Sequence, residues 1–430
     1  MSTLRENIET ELRSNPRFSF RYVDRTFWFL FFALIIAAAI ALFSASSTLV
    51  YKSNSNIGPV GHQMFFIFIG VVFAFVIQFL PSWVIRSAGY AGLAITVLML
   101  YVMLLPHNPF VVTVNGASRW FKLFGVPFQP SEFAKIGLMI VVADQLSRAT
   151  DEESMKKMFL RTLGITLVTV FPILVGNFST AVLMSGVVFL LWIIAGVNWR
   201  YWASAAGIAA VVLVLGYFFV EAAYVRPNQE PPRLFKRTTV WVKRVDQFIA
   251  EKQPAAPDGK QAEENVLDDY QQTLAKVAVA RGSASPLGVL PGNSKERDYL
   301  PLAYADYIFA IIVEETGIIG AFVLIFLYLA ILFRACYVSA RFDNPPAMYM
   351  TMGLALMLTC QALISMLVAV GVGPVTGQPL PMITMGGTSS LATALYFGIM
   401  MSVSREQNQL VGEQEEVARQ SMEEMPTVEE

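Results

Sequence analysis

Ten apolar runs dominate the chain, at residues 27–48, 62–80, 87–105, 130–147, 160–176, 179–197, 202–222, 305–334, 347–370 and 387–403. Most approach the roughly 20 residues that cross the hydrocarbon of a bilayer as a helix. In hydrocarbon every backbone N–H and C=O must bond within the protein, so apolar runs of this length have one regular solution, the α-helix. Hydrophobic residues make up 55% of the 430 and charged residues 15%, against roughly 45–50% and 25% in soluble domains. The charges are also segregated: 9 lie in the first 25 positions, 22 between Tyr224 and Leu300, and 10 after Ser404. This distribution excludes a soluble enzyme, a disordered chain and a disulfide scaffold. It predicts an all-α polytopic membrane protein of about ten transmembrane helices. An N-terminal tail, 1–25, precedes a membrane domain, 26–404, with one large extracytoplasmic loop at 223–304; an acidic tail, 405–430, follows.

Orientation follows from basic residues in the short loops. Arg5, Arg13, Arg17, Arg21 and Arg25 precede the first run; Arg86, Arg148, Lys156, Lys157, Arg161, Arg200, Arg334, Arg341 and Arg405 fall on the same side. Both termini are therefore expected in the cytoplasm. The basic residues of 223–304 do not oppose this, because loops longer than about 60 residues cross largely regardless of charge. The first run is full span length behind a tail containing acids, so it reads as an anchor rather than a cleaved signal. The fifth run is interrupted by Pro172 and Gly176, and the eighth is expected to begin above the hydrocarbon. Two histidines, His62 and His107, and two cysteines, Cys336 and Cys360, are too few for a structural zinc site. The net charge of −1 gives no basis for a nucleic-acid partner.

Polar groups are expensive at membrane depth, so each is a candidate functional residue. Three segments concentrate them. The first is Asn115-Gly116-Ala117-Ser118-Arg119-Trp120-Phe121, followed by Gln129-Pro130-Ser131-Glu132-Phe133-Ala134-Lys135. Pro130 and Glu132 suit the start of a helix, and Glu132 and Lys135 share a face. They read either as substrate-binding charges or as an internal ion pair, with Trp120 as an interface anchor beside Arg119. The second runs from Lys295 through Asp298, Tyr299, Leu300 and Pro301 to Asp306, then Tyr307-Ile308-Phe309-Ala310, Glu314 and Glu315. Asp306 stands at the outer mouth of the eighth run, where a partly desolvated carboxylate suits a general base and also an N-cap. Glu314 and Glu315, deeper in, are expected to hold neighbouring spans together. The third is the Gly- and Pro-dense stretch 371–390, read as a re-entrant loop because such backbone at membrane depth must be buried or line a cavity. Its Gly386, Gly387, Thr388 and Ser389 open a helix whose N–H groups suit an anion; a purely structural hairpin is the other reading. Residues 233–250 read as a basic amphipathic helix on the lipid surface, and 251–268 as a polar linker.

These three segments, in this order, resemble the SEDS family (shape, elongation, division and sporulation proteins) over about residues 25–405. The resemblance rests on Gly116-Ala117-Ser118-Arg119-Trp120 with Gln129–Lys135; on Gly288 and Ser294-Lys295 with Tyr299-Leu300-Pro301 and Asp306–Ala310; and on Pro374-Val375-Thr376-Gly377 with Leu380-Pro381 and Gly386–Ser390. Asp144-Gln145-Leu146-Ser147-Arg148 and Ser402-Val403-Ser404-Arg405-Glu406 are closer to its FtsW-type division branch than to its RodA-type elongation branch. The resemblance implies a ten-span peptidoglycan glycosyltransferase of the bacterial cytoplasmic (inner) membrane, expected at the division septum. Such an enzyme polymerises lipid II at the outer face and releases undecaprenyl pyrophosphate. It also implies a class B penicillin-binding protein, a monofunctional transpeptidase, as partner, together with other divisome membrane proteins and membrane lipid. Asp306 matches the family's catalytic aspartate. Arg119, Trp120, Glu132, Lys135, Lys295 and Gly386–Ser389 then become substrate-binding, with Arg119, Lys135 and Lys295 neutralising the pyrophosphate. A divalent cation, magnesium or manganese, bridging the phosphates fits this chemistry, although no ligand cluster in the sequence specifies one.

The chain departs from the family pattern twice. Gly176-Asn177-Phe178-Ser179 replaces the common Pro-Asp-(Leu/Phe)-Gly, so no acid role carries over there. Leu302-Ala303-Tyr304-Ala305 lacks the Glu and His that many members place before the aspartate, which weakens any scheme in which they help it hold a metal. Asp298 is the candidate substitute. Two rivals to the enzyme remain at this stage: a flippase of the lipid-linked precursor, and a non-catalytic division scaffold docking partners through the acidic tail.

Overall fold

The computed structural model describes residues 22–45, 58–105, 108, 110–114, 117–123, 126–225, 238–242, 245–246, 264–296, 307–342, 344–373 and 377–423. The described parts of the ten apolar runs fall mainly on helices: α1 (Arg25–Ala45), α2 (Gly58–Ile77), α3 (Ser82–Leu104), α4 (Pro130–Leu146), α5 (Glu152–Gly176), α6 (Phe178–Ile194), α7 (Trp199–Val220), α9 (Ile308–Ser339), α10 (Pro345–Ala369) and α11 (Gly387–Glu423). α8 (Glu264–Ser283) lies in the long loop. Among the described residues, seven helices (α1, α2, α3, α5, α7, α9 and α10) are long and apolar enough to cross a membrane. α4 and α6 are 17 residues each.

Burial sorts the helices. α4 is covered nearly all round, with Ala134 through Asp144 buried, as expected of an apolar helix at the centre of a bundle. α3, α10 and α11 pack around it, α2 packs on α11, and α9 on α10. α7 is the opposite case: of its 22 residues only Val220 is buried, and Ile208, Val211, Val212 and Leu215 face outward. Lipid is the solvent that such a face fits.

Three expectations need correcting. The protein is not purely α: β1 (Val111–Val114), β2 (Ala117–Leu123) and β3 (Val126–Phe128) form an antiparallel sheet in the order β1-β2-β3 between α3 and α4. Val112 pairs with Trp120, and Phe121 with Phe128. β-branched and aromatic residues flanking an Asn-Gly pair, Asn115-Gly116, are what favour a hairpin. The linker assigned to 251–268 ends early, because α8 begins at Glu264. Its apolar face packs on α9, where Ala275 and Ala278 are fully buried; hydropathy alone does not mark such a docked helix. Finally, α9 is broken. Gly317 has φ 67° and ψ −162°, a conformation that favours glycine. A Cβ there would lie 2.4 Å from both Gly288 N and Pro286 O, so the turn after α8 is wedged against the break. Of the amphipathic segment 233–250, residues 238–242 and 245–246 are helical and the remainder lies outside the described residues. Trp241 packs against Phe178 at the start of α6, the rings tilted by 37° with centroids 4.0 Å apart.

The basic ends of the helices are stapled together. Asp24 caps α1 by accepting the Thr26 and Phe27 N–H groups at 3.0 and 3.3 Å. Its other oxygen accepts from Arg334 Nη2 at 2.8 Å and from the Ser404 hydroxyl at 3.0 Å. Arg405 Nε donates to Gln78 O at 2.8 Å, and Glu406 accepts the Ser82 N–H at 2.7 Å at the start of α3. In the other segment that pointed to the division branch, Asp144 binds Arg148 at 2.6 Å and the Tyr90 hydroxyl at 2.8 Å. α5 begins with a capping box: Asp151 accepts the Ser154 N–H at 2.9 Å, and the Ser154 hydrogen bonds hold the Asp151 carboxyl below its ordinary range. Asp24→Ala should lower thermal stability by about 3 kcal/mol, the low end for breaking a buried pair, because the Arg334 side chain keeps 26% exposure. The heating midpoint of the detergent-solubilised protein checks it; an unchanged midpoint would show the staple to be dispensable.

Candidate functional site

At the opposite end, α4 opens with Pro130 and carries Glu132 in its first turn. Lys135, one turn on, is fully buried. Its ammonium donates to Glu132 Oε1 at 2.8 Å and to Gln361 Oε1 of α10 at 2.5 Å. Gln361 passes the connection on, Nε2 donating to Pro379 O at 2.9 Å. Gln361 stands eight residues before the end of α10, about 12 Å along the helix. Pro379 therefore reaches inward past the end of α10, as the re-entrant reading of 371–390 requires.

Residues 377–386 of that loop have no regular structure and are held by side chains from four helices. Besides Gln361, Gln378 Nε2 donates to Thr180 Oγ1 of α6 at 2.7 Å, and the Tyr328 hydroxyl of α9 donates to Pro381 O at 2.6 Å. Gln63 of α2 accepts the Gly386 N–H at 3.1 Å and donates to Ser390 Oγ at 2.6 Å. Within the loop Leu380 N–H donates to Thr384 Oγ1 at 2.8 Å. Leu380 through Thr384 are buried, which meets the condition for irregular backbone inside a membrane protein.

Gly386, Gly387, Thr388 and Ser389 stand where α11 begins. The Gly386 N–H is already taken by Gln63, whereas Gly387 and Thr388 are partly exposed and belong to a first turn whose N–H groups lack helical partners. Gly387 is needed for space, since a Cβ there would lie 2.6 Å from the Phe66 ring. Trp120 is half-buried on β2, opposite Val112. Arg119 is on the same strand, but its side chain is outside the described residues. So is Asp306, which falls in 297–306; the chain resumes at the buried Tyr307.

Lys295 is exposed, and its backbone N–H donates to Glu314 Oε1 at 3.2 Å. Glu314 is fully buried; it also accepts from the Ser294 hydroxyl and, at 3.4 Å, from Arg281. Glu315 accepts from the Ser44 hydroxyl of α1 and from the Gly292 N–H at 3.1 Å. The two acids thus bind the segment 281–295 and α1 to α9, the holding role expected of them. The structure joins Glu132 and Lys135 to the loop that ends in Gly386–Ser389. Gln361, Gln63, Gln378 and Tyr328 were not among the sequence candidates. An amide in an otherwise apolar run, as in Leu358-Thr359-Cys360-Gln361-Ala362-Leu363, was the signal available for Gln361. Among the described residues no group of three or more His, Cys, Asp or Glu could hold a metal ion, and Glu132 is bonded to Lys135. The candidate acids Asp298 and Asp306 lie outside the described residues.

Known proteins with the same pattern are numerous. The family profile described as cell cycle protein, spanning FtsW, RodA and SpoVE, matches residues 24–409. The peptidoglycan glycosyltransferase MrdB of Escherichia coli (strain K12) is 26% identical over 383 residues, covering 89% of this chain and 93% of its own. A probable peptidoglycan glycosyltransferase FtsW of Marinomonas mediterranea is 28% identical over 405 residues, covering 92% of each. A chain from a structure described as the structural coordination of polymerization and crosslinking by a peptidoglycan synthase complex aligns with TM-score 0.66 and 24% identity, over 90% of this chain and 98% of that one. Relatives named MrdB and relatives named FtsW are both among the matches.

Proposed function

The chain belongs to the FtsW/RodA/SpoVE family of cell cycle proteins, and from that premise we propose that it is a peptidoglycan glycosyltransferase, a multi-pass protein of the bacterial cytoplasmic membrane that polymerises lipid II. The observation that carries this reading is the family match, which spans nearly the whole membrane domain. The acceptor sugar hydroxyl attacks the anomeric carbon of the donor, the bond to undecaprenyl pyrophosphate breaks, and the hydroxyl proton passes to Asp306 acting as base. Positive groups offset charge that develops on the leaving pyrophosphate; Arg119, Lys135 and Lys295 take that part. Trp120, Glu132 and the α11 N-terminus at Gly386–Ser389 complete the binding surface. The buried tethers of 377–386 support the view that this loop forms a wall of the site rather than a free connection.

The finer reading is a septal enzyme with ten spans, cytoplasmic termini and the large loop outside, working with a class B penicillin-binding protein and other divisome membrane proteins. The alignment with a synthase-complex chain supports a transpeptidase partner. Purified protein with its cognate transpeptidase should convert lipid II into glycan strands; a reconstituted pair that yields no polymer overturns the assignment, and fluorescent-lipid translocation by the same preparation would favour a flippase. Arg119→Ala should lower kcat/KM for lipid II by about ten- to a hundredfold, the loss expected for one or two charge-assisted phosphate contacts, with the solubilised protein still monodisperse. Wild-type kinetics would leave Arg119 a structural residue.

A further inference from the structure

Lys135 presents a difficulty for any phosphate-binding role: it is fully buried, and two of its three donors are spoken for, by Glu132 Oε1 and Gln361 Oε1. The two partners are not equivalent. A carboxylate forms a charge-assisted bond with an ammonium on the same helix face, whereas a neutral amide oxygen is the weaker acceptor that an anion would displace. The orientation of the amide is also fixed by chemistry. An ammonium can only donate, so Oε1 must face Lys135, and Nε2 is left for Pro379 O, at 2.9 Å. One side chain therefore touches both the cation and the loop that covers it.

We propose that Gln361 is a positioning residue that holds Lys135 in reserve, its side-chain oxygen standing where a phosphate oxygen of the substrate later binds. This rests on the reading of Lys135 as a leaving-group cation. When a phosphate replaces the amide oxygen, the amide is free to turn, its hydrogen bond to Pro379 O is released, and the loop 377–386 loses one of its tethers. Binding at the cation and loosening of the loop are then one event.

A second observation supports two states. The Tyr396 hydroxyl of α11, a helix that packs on the α4 of Glu132, is buried with no hydrogen-bond partner among the described residues. A buried hydroxyl left unpaired is costly in a single fixed structure. It is explained if Glu132 needs a donor when Lys135 turns to a phosphate, and the Tyr396 hydroxyl is that donor.

Steady-state kinetics on lipid II, with the full chain and its transpeptidase, separate the possibilities. Gln361→Glu and Gln361→Met both lose the bond to Pro379 O, because neither has a donor. They differ in what they offer Lys135: a second carboxylate that a phosphate must displace, or nothing. The expected result is a KM about tenfold or more higher for Gln361→Glu than for Gln361→Met, the worth of one charge-assisted bond, with similar kcat. Tyr396→Phe, which removes one oxygen and leaves the ring, should lower kcat/KM severalfold in a protein of unchanged heating midpoint. Equal KM for the two Gln361 variants, or wild-type kinetics for Tyr396→Phe, overturns the exchange. Lys135→Met keeps the test distinct from the premise: if it binds lipid II as the wild type does, the leaving-group role of Lys135 fails; if it is impaired while the Gln361 variants match, only the exchange fails.

Discussion

Asp306→Asn is expected to abolish most polymerisation while the protein still folds and inserts. The substitution keeps shape and hydrogen bonding and removes the charge and the basicity. The N-cap of α9 is Tyr307 rather than Asp306; if Asp306 served only as a hydrogen-bonding group beside that helix start, Asn would serve nearly as well, and activity would survive. If it is the base, the loss is about 10²–10⁴-fold, the usual worth of positioned proton transfer. The two roles predict opposite outcomes from one change. Asp306→Glu should recover little, because an extra methylene shifts the carboxylate by about an ångström, which can cost about 10²-fold. Glycan yield from lipid II, normalised to folded protein, is the measurement. A wild-type yield from Asp306→Asn would remove Asp306 from the mechanism.

The second large effect is structural. Gly317→Val forces a β-branched residue into φ 67° and sets a Cβ 2.4 Å from Gly288 N and Pro286 O. The backbone conformation alone costs about 1–3 kcal/mol, and the contact adds to it, because the atoms struck are backbone and cannot swing away. The turn after α8 should undock, pulling Ser294 and the Lys295 N–H off Glu314. Ser294 is buried, so a cysteine placed there, in a chain freed of Cys336 and Cys360, should be protected from a membrane-impermeant maleimide. Adding Gly317→Val should expose it. Continued protection would show that the turn is held without the glycine.

How much of this was legible depended on the length scale of the physics involved. The helices could be read because leaving a backbone unbonded in hydrocarbon is prohibitive, and that cost acts residue by residue along each run. Glu132 and Lys135 could be paired because three residues on a helix is a local distance. Their third partner could not, since Gln361 is 226 positions from Lys135. A search for ionisable residues also passes over amides such as Gln63 and Gln378. The sheet was readable in principle from Val111-Val112-Thr113-Val114 and Asn115-Gly116, but a hydropathy scan looks for long runs and short strands do not register. The break in α9 had a glycine to mark it, though nothing in the sequence near Gly317 names Pro286 and Gly288 as the atoms that fill it.

The tethers of the loop 377–386 also bear on when the site can come into existence. Gly386 is bonded to a residue 323 positions earlier, Gln378 to one 198 earlier, Pro381 to one 53 earlier, and Pro379 to one 18 earlier. A chain made and inserted from its N-terminus has α2, α6, α9 and α10 in place before the loop is available to join them. The helices can accumulate one by one, but the wall they share is closed only by the last of them, with α11 completing it. Contacts of such long sequence separation form late, because the entropy of closing each loop must be met first. A chain interrupted before Gly387 is therefore expected to lack the contacts that close this wall, and with them the activity.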